Sequence, residues 1–317
     1  MTLLLQELIV GLATGAIYAL IALGYTMVYG IIELINFAHG DIFMIGTLVC
    51  ITIMNVMGIT ATSHPTGWTL ITVLLVSCLG GMLACAILGV VIERVAYRPL
   101  RNAPRLAPLI SAIGVSLVLE NIGLLWKGIN YVSFPQIFPQ INYNIGSVTI
   151  TSVNILVIVV SLVLMVALQW MVSNTRIGRA MRAVAQDREA AALMGVNVDR
   201  IIAITFFIGA ALAGAAGFIY GLQYGSTIFY IGFQLGLIAF TAAVLGGIGN
   251  LVGAMLGGVL IGIIDALSSL IPDSNNGGFG LPHGGSAWHE AIIFAILILI
   301  LVFRPSGLLG QQTPEKV

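Results

Sequence analysis

Apolar residues run along this chain in blocks of roughly bilayer length, separated by short polar intervals. A helix needs about 20 consecutive apolar residues to cross a bilayer. Such blocks lie at 8–31, 42–58, 68–92, 107–126, 148–172, 201–222, 235–248, 252–271 and 287–303. They predict an all-α polytopic membrane protein of about eight to nine transmembrane helices, forming one domain over 1–317. The blocks at 42–58 and 235–248 are short and read equally well as broken or re-entrant helices. Residues 127–147 and 272–286, rich in Pro, Asn, Gly and aromatics, read as loops, as does 59–67.

Composition supports the same class. Of 317 residues, 59% are apolar and only 8% are charged. A soluble surface needs about 25% charged residues, so a soluble enzyme, a disordered chain and a nucleic-acid binder are excluded. The N-terminus has no basic stretch before its first apolar run and no small-residue cleavage pattern, so the first span is expected to be retained. Cys50, Cys78 and Cys85 sit within apolar blocks without metal-ligand spacing and read as small packed hydrophobes.

Basic residues orient the spans. Arg94, Arg98, Arg101 and Arg105 follow the third block. Arg176, Arg179, Arg182, Arg188 and Arg200 lie between the fifth and sixth, and Arg304 and Lys316 follow the last. Nine crossings put all of them on one side and leave Lys127 alone on the other. The expected N-terminus is outside and the C-terminus cytoplasmic. Glycines recur at four-residue spacing: Gly249, Gly253 and Gly257; Gly258 and Gly262; Gly217 and Gly221; Gly11 and Gly15. In lipid, such small residues let helix backbones approach closely.

Candidate chemistry is sparse. Neither Lys127 nor Lys316 belongs to a Gly-Lys-Ser/Thr phosphate loop, so this chain is not expected to hydrolyse ATP by that route. His289-Glu290 begins like a zinc-protease motif, but Ile293 replaces its second histidine. Gly40-Asp41 resembles an intramembrane protease motif, but Ala38 stands where that motif has another glycine. No cofactor or metal is expected.

Asn36, His39 and Asp41 lie together between two apolar runs. They read either as a broken helix beside a solute path or as an ordinary turn in which Gly40 ends one helix and Asp41 caps the next. Glu120 and Asn121 form a second intramembrane polar pair, and Asp265 is a third case. Ala180 to Met194 favours a helix, stopped by Gly195, with Asn197 starting the return to the membrane. Its knob, Leu193 and Met194, suits either insertion into a groove of another protein or rest on a lipid surface.

Three stretches carry a resemblance: Gly11 to Gly30 running into Asn36-Phe-Ala-His-Gly-Asp41; Arg176-Ile-Gly-Arg-Ala-Met-Arg-Ala through Asp187 and Leu193-Met-Gly-Val-Asn197; and Phe240-Thr-Ala-Ala-Val-Leu-Gly-Gly-Ile-Gly-Asn250 followed by Gly253-Ala-Met-Leu-Gly257. Together they resemble the LivH-like permease subunits of bacterial branched-chain amino acid ABC importers, over nearly the whole chain. The resemblance implies an inner-membrane permease that pairs with a LivM-like permease or a second copy of itself. It further implies two ABC ATPase subunits and an extracytoplasmic binding protein delivering leucine, isoleucine or valine.

Within 173–200, the resemblance makes Gly178, Arg179, Arg182, Ala185, Asp187, Ala190, Leu193, Gly195, Val196 and Asn197 the ATPase-coupling residues. Asn36, His39, Asp41, Glu120 and Asn121 become translocation-path candidates. The same architecture could carry urea or short-chain amides. A stand-alone channel or secondary transporter would give 178–197 no docking role.

Overall fold

Every one of the nine apolar blocks contains a helix. The computed structural model describes residues 2–60, 63, 65–101, 103–104, 106–146, 148–273, 281–304 and 306–310. Arg105, Lys316 and the middle of the 272–286 loop lie outside the described residues. The long elements are α1 (Thr2–Ile32), α2 (His39–Val56), α3 (Trp68–Ile92), α4 (Leu106–Lys127) and α5 (Ser152–Asn174), then two short helices α6 (Arg176–Gln186) and α7 (Arg188–Leu193), then α8 (Val198–Tyr224), α9 (Ile231–Gly246), α10 (Leu251–Ser268) and α11 (His289–Phe303). Among the described residues, seven helices are long and apolar enough to cross a bilayer; Ile231–Gly246 and His289–Phe303 are apolar but shorter.

Burial separates the helices into two classes. About three quarters of the membrane-length windows of α1, α2 and α8 is buried (78%, 72% and 72%), against 22% for both α4 and α5. The first three form the centre, and α4 and α5 turn most of their apolar surface outward, as lipid-facing helices do. Glycine lets the central helices meet. A Cβ at Gly15 would come within 2.8 Å of Val259 Cα, and one at Gly262 would overlap the Gly15 backbone, so α1 and α10 pack nearly backbone to backbone. Gly253 and Gly257 do the same for α10 against α9, where a Cβ would meet the Gly246 and Ala242 carbonyls.

Gly249 departs from the expected packing stripe. It has φ +92° in the turn before α10, and a Cβ there would touch nothing within 4 Å. Its glycine serves a backbone conformation that other residues rarely adopt.

Four further expectations change. Residues 148–151 do not start a helix; Val148–Thr151 pairs antiparallel with Asn142–Ile145 as a hairpin. This hairpin is pinned to α1 by Gln6, whose amide donates to Thr149 O at 3.0 Å and accepts from Thr149 N at 3.0 Å. The helix expected from Ala180 to Met194 is two helices, because Asp187 interrupts it with an extended backbone (φ −158°). Its carboxylate accepts from the N–H groups of Glu189 and Ala190 at 2.9 and 3.0 Å, capping α7. Gly195, with φ +84°, ends that segment as expected. Asn197 caps α8 by accepting from Arg200 N at 3.0 Å.

Gly40 does not break a helix, and Asp41 does not cap one. α1 already ends at Ile32, the gap is 33–38, and α2 starts at His39 with no side-chain cap. Finally, α3 continues through a π turn, Glu93–Tyr97, and a 3-10 turn, Arg98–Leu100.

Ion pairs bring two of the arginine groups to one end of the bundle. Arg98 and Arg101 both pair with Asp199 at the start of α8, and Arg101 also pairs with Glu93.

Candidate functional site

The gap between α1 and α2 is not a surface turn. Glu33 is exposed, but Asn36, Ala38, His39 and Asp41 are all buried, at 2%, 0%, 1% and 0% exposure. Asp41 accepts a hydrogen bond from Ser116, halfway along α4. Gly40 packs on Gly236 of α9, where a Cβ would lie 2.7 Å from the Gly236 Cα. The chain therefore climbs from the end of α1 into the bundle before α2 begins. Polar groups at such depth must be satisfied by protein or by a water-filled cavity.

Each of these side chains has a defined setting. The Asn36 carbonyl oxygen accepts from Tyr97 OH at 2.9 Å. A π turn holds one residue more than an α turn, so it rotates the following positions relative to α3; Tyr97, its last residue, is 1% exposed and its ring packs at a tilt on Phe206, with centroids 5.3 Å apart. The His39 ring lies against Gly24, where a side chain would overlap it, and edge-on to Tyr25 at 4.8 Å. Asn36 Nδ2 and Asp41 Oδ1 have no hydrogen-bond partner among the described residues. A buried polar atom left unpaired costs about 1–3 kcal/mol, so the cluster holds unused hydrogen-bonding capacity inside an otherwise apolar bundle.

Glu120 lies one turn beyond Ser116 on α4. It lines a cleft of about 290 Å³ with Tyr230, Phe233, Gln234, Leu237, Glu290 and Phe294. Gln234 donates to Glu290 across that cleft. Asn121 does not join them. It is exposed on α4, with its amide donating to Leu117 O at 2.8 Å. Asp265 does not line this cleft; it accepts a hydrogen bond from Tyr18 OH at 2.9 Å.

The second candidate region, 173–200, hangs from the bundle on packed anchors. Gly178, Met181, Val184 and Ala191 are buried. Gly178 has no room for a side chain, because a Cβ would overlap the Val172 carbonyl at the end of α5. Thr175 caps α6 by accepting from Gly178 N at 3.1 Å. Arg182 donates to the Val172 and Ser173 carbonyls, which lie at the negative end of the α5 dipole. Arg179, Ala185, Asp187, Ala190, Gly195 and Asn197 are exposed and Val196 is partly so. Leu193 and Met194 protrude furthest, at 89% and 85% exposure.

Sequence reasoning did not find Ser116, Tyr97 or Gln234, and it met Glu290 only in a rejected zinc-protease motif. Ser116 carried a signal: it stands four residues before Glu120 in an apolar block, on the same helix face. Tyr97 carried none, because the π turn that buries it is invisible to periodicity.

Comparison with known proteins places this architecture. Residues 8–301 match the family model described as "Branched-chain amino acid transport system / permease component". The "High-affinity branched-chain amino acid transport system permease protein LivH" of Escherichia coli (strain K12) is 44% identical, covering 99% of this chain and 97% of that protein. The "High-affinity branched-chain amino acid transport system permease protein BraD" of Pseudomonas aeruginosa is 43% identical over 99% of this chain and 98% of that protein. More distantly, the "Fructose import permease protein FruG" of Bifidobacterium longum is 25% identical over 86% of this chain and 76% of that protein. No solved structure matches.

Proposed function

This chain belongs to the branched-chain amino acid transport permease family, and we propose that it is the inner-membrane permease subunit of an ATP-driven importer of leucine, isoleucine and valine. It works with a second permease, LivM-like or a second copy of itself, with two ABC ATPases, and with an extracytoplasmic binding protein. On our reading α9 and α11 also cross, which makes nine crossings, with the N-terminus outside and the ends of α1, α3, α5 and α11 in the cytoplasm. The common location of Arg98, Arg101 and Asp199 supports that orientation.

One observation carries the mechanism: a two-residue apolar knob, Leu193 and Met194, stands clear of a segment otherwise anchored to the bundle. An apolar side chain held out on a fixed stalk suits a groove in another protein. Residues 178–197 are then the docking segment for the ATPase. Closure of the ATPase pair pushes this segment, the helices rock, and the path near Asn36, His39, Asp41 and Glu120 opens to one side at a time. Affinity resides in the binding protein, so the path needs few polar groups.

The test is reconstitution of the full assembly in liposomes with ATP inside. Leucine uptake that needs ATP and the binding protein is the expected result. Uptake of urea or a sugar in place of leucine would change the cargo. Uptake by this chain alone, without ATPases, would overturn the reading.

A further inference from the structure

We propose that Arg188 is the positioning residue through which the docking segment pulls on the broken end of α1; this rests on the reading of 178–197 as that segment. Arg188 is the first residue of α7. Its Nη2 donates to the backbone carbonyl of Ile31 at 2.9 Å, across 157 positions of sequence. Ile31 lies in the last turn of α1, where carbonyls have no partner within the helix and the dipole is negative. A guanidinium there is both a cap and a charge-assisted bond.

What lies beyond Ile31 makes the bond mechanical. Glu33 sits in the left-handed region at φ +57°, which is uncommon for a residue with a side chain. The chain then runs without helix to Asn36, held by Tyr97, and on to His39 and Asp41. Packed side chains transmit a displacement directly, because protein interiors have little free volume. Between α7 and the end of α1 that route is interrupted, although the neighbouring α6 packs directly on α1. A cavity of about 450 Å³ separates α7 from residues 31–34 and is lined also by Arg101, Pro108 and Glu189. Arg188 spans the edge of this cavity. The direct link from α7 to the end of α1 is then the Arg188 bond, and the strained residue at 33 is the place where the chain can yield.

The experiment uses the reconstituted importer with all its subunits and measures uptake and ATP hydrolysis in the same vesicles. Arg188→Ala is expected to lower leucine moved per ATP hydrolysed at least fivefold, with hydrolysis still above half its normal rate. Arg188→Lys, which keeps a cationic donor, is expected to recover at least half of the lost ratio. An unchanged ratio in Arg188→Ala would overturn the proposal. A proportional fall in uptake and hydrolysis would also overturn it, since that is what a merely structural cap gives. Failure of the docking reading looks different: Leu193→Asp would then leave ATPase co-purification and hydrolysis at wild-type levels, whatever Arg188 does.

Discussion

The seam between α1 and α10 and the knob at Leu193–Met194 use opposite physics. In the seam, glycines remove side chains until two backbones touch, and nothing larger fits. At the knob, two large apolar side chains stand in the open and touch almost nothing within the chain. The seam holds the fold together; the knob contributes little to it. On the proposed docking role of the knob, stability and function are separable by mutation in this protein, and the contrast can be tested at graded positions.

The largest expected loss of stability is at the seam. Gly262→Leu should destabilise the bundle by about 3 kcal/mol or more, the upper range for overpacking. The readout is a large drop in membrane-inserted protein and in the detergent melting temperature. A normal melting temperature would mean that α1 and α10 are not in contact.

Next comes Tyr97→Phe, which removes the donor to Asn36. Leaving that buried amide unpaired should cost about 1–2 kcal/mol, measured by thermal unfolding, and leucine uptake should fall with it.

Asp199→Asn should cost about 1 kcal/mol or less, because Asp199 and Arg98 are half exposed and the more buried Arg101 keeps its pair with Glu93. That loss should shrink as salt is raised. A cost that ignores salt would argue that the pair is shielded by something else.

The smallest effect on stability belongs to the knob. Leu193→Asp should change folding by about 0.5 kcal/mol or less, as exposed substitutions do, yet reduce uptake more than tenfold. Wild-type uptake in a well-folded Leu193→Asp chain would erase the contrast.

The sequence showed some of this and hid the rest, for identifiable reasons. All nine apolar blocks contain helices, because block length and polarity are local properties of the chain. The glycine pairs on α1 and α10 were legible for the same reason, since four-residue spacing puts them on one helix face. Asp41 was harder. An acidic residue two positions into a helix looks like a cap or first-turn charge, while its actual partner, Ser116, lies 75 residues away. Gly249 fits the spacing of Gly253 and Gly257 but belongs to the preceding turn, a difference that only its backbone angle reveals. Asp187 was a legible helix breaker in principle. Its side chain competes with the backbone for N–H groups, and that local signal was outweighed by the alanines around it. The Arg188 bond to Ile31 had no local signature at all, because its two ends lie 157 positions apart and only the tertiary fold brings them together.

The open stance of Leu193 and Met194 also bears on how the subunit is produced. On the proposed docking role, a copy made in excess of its ATPase partner keeps this apolar tip in water, on an exposed stretch of backbone. Balanced synthesis of permease and ATPase would then protect the chain as much as it assembles the machine, and surplus copies would be removed first.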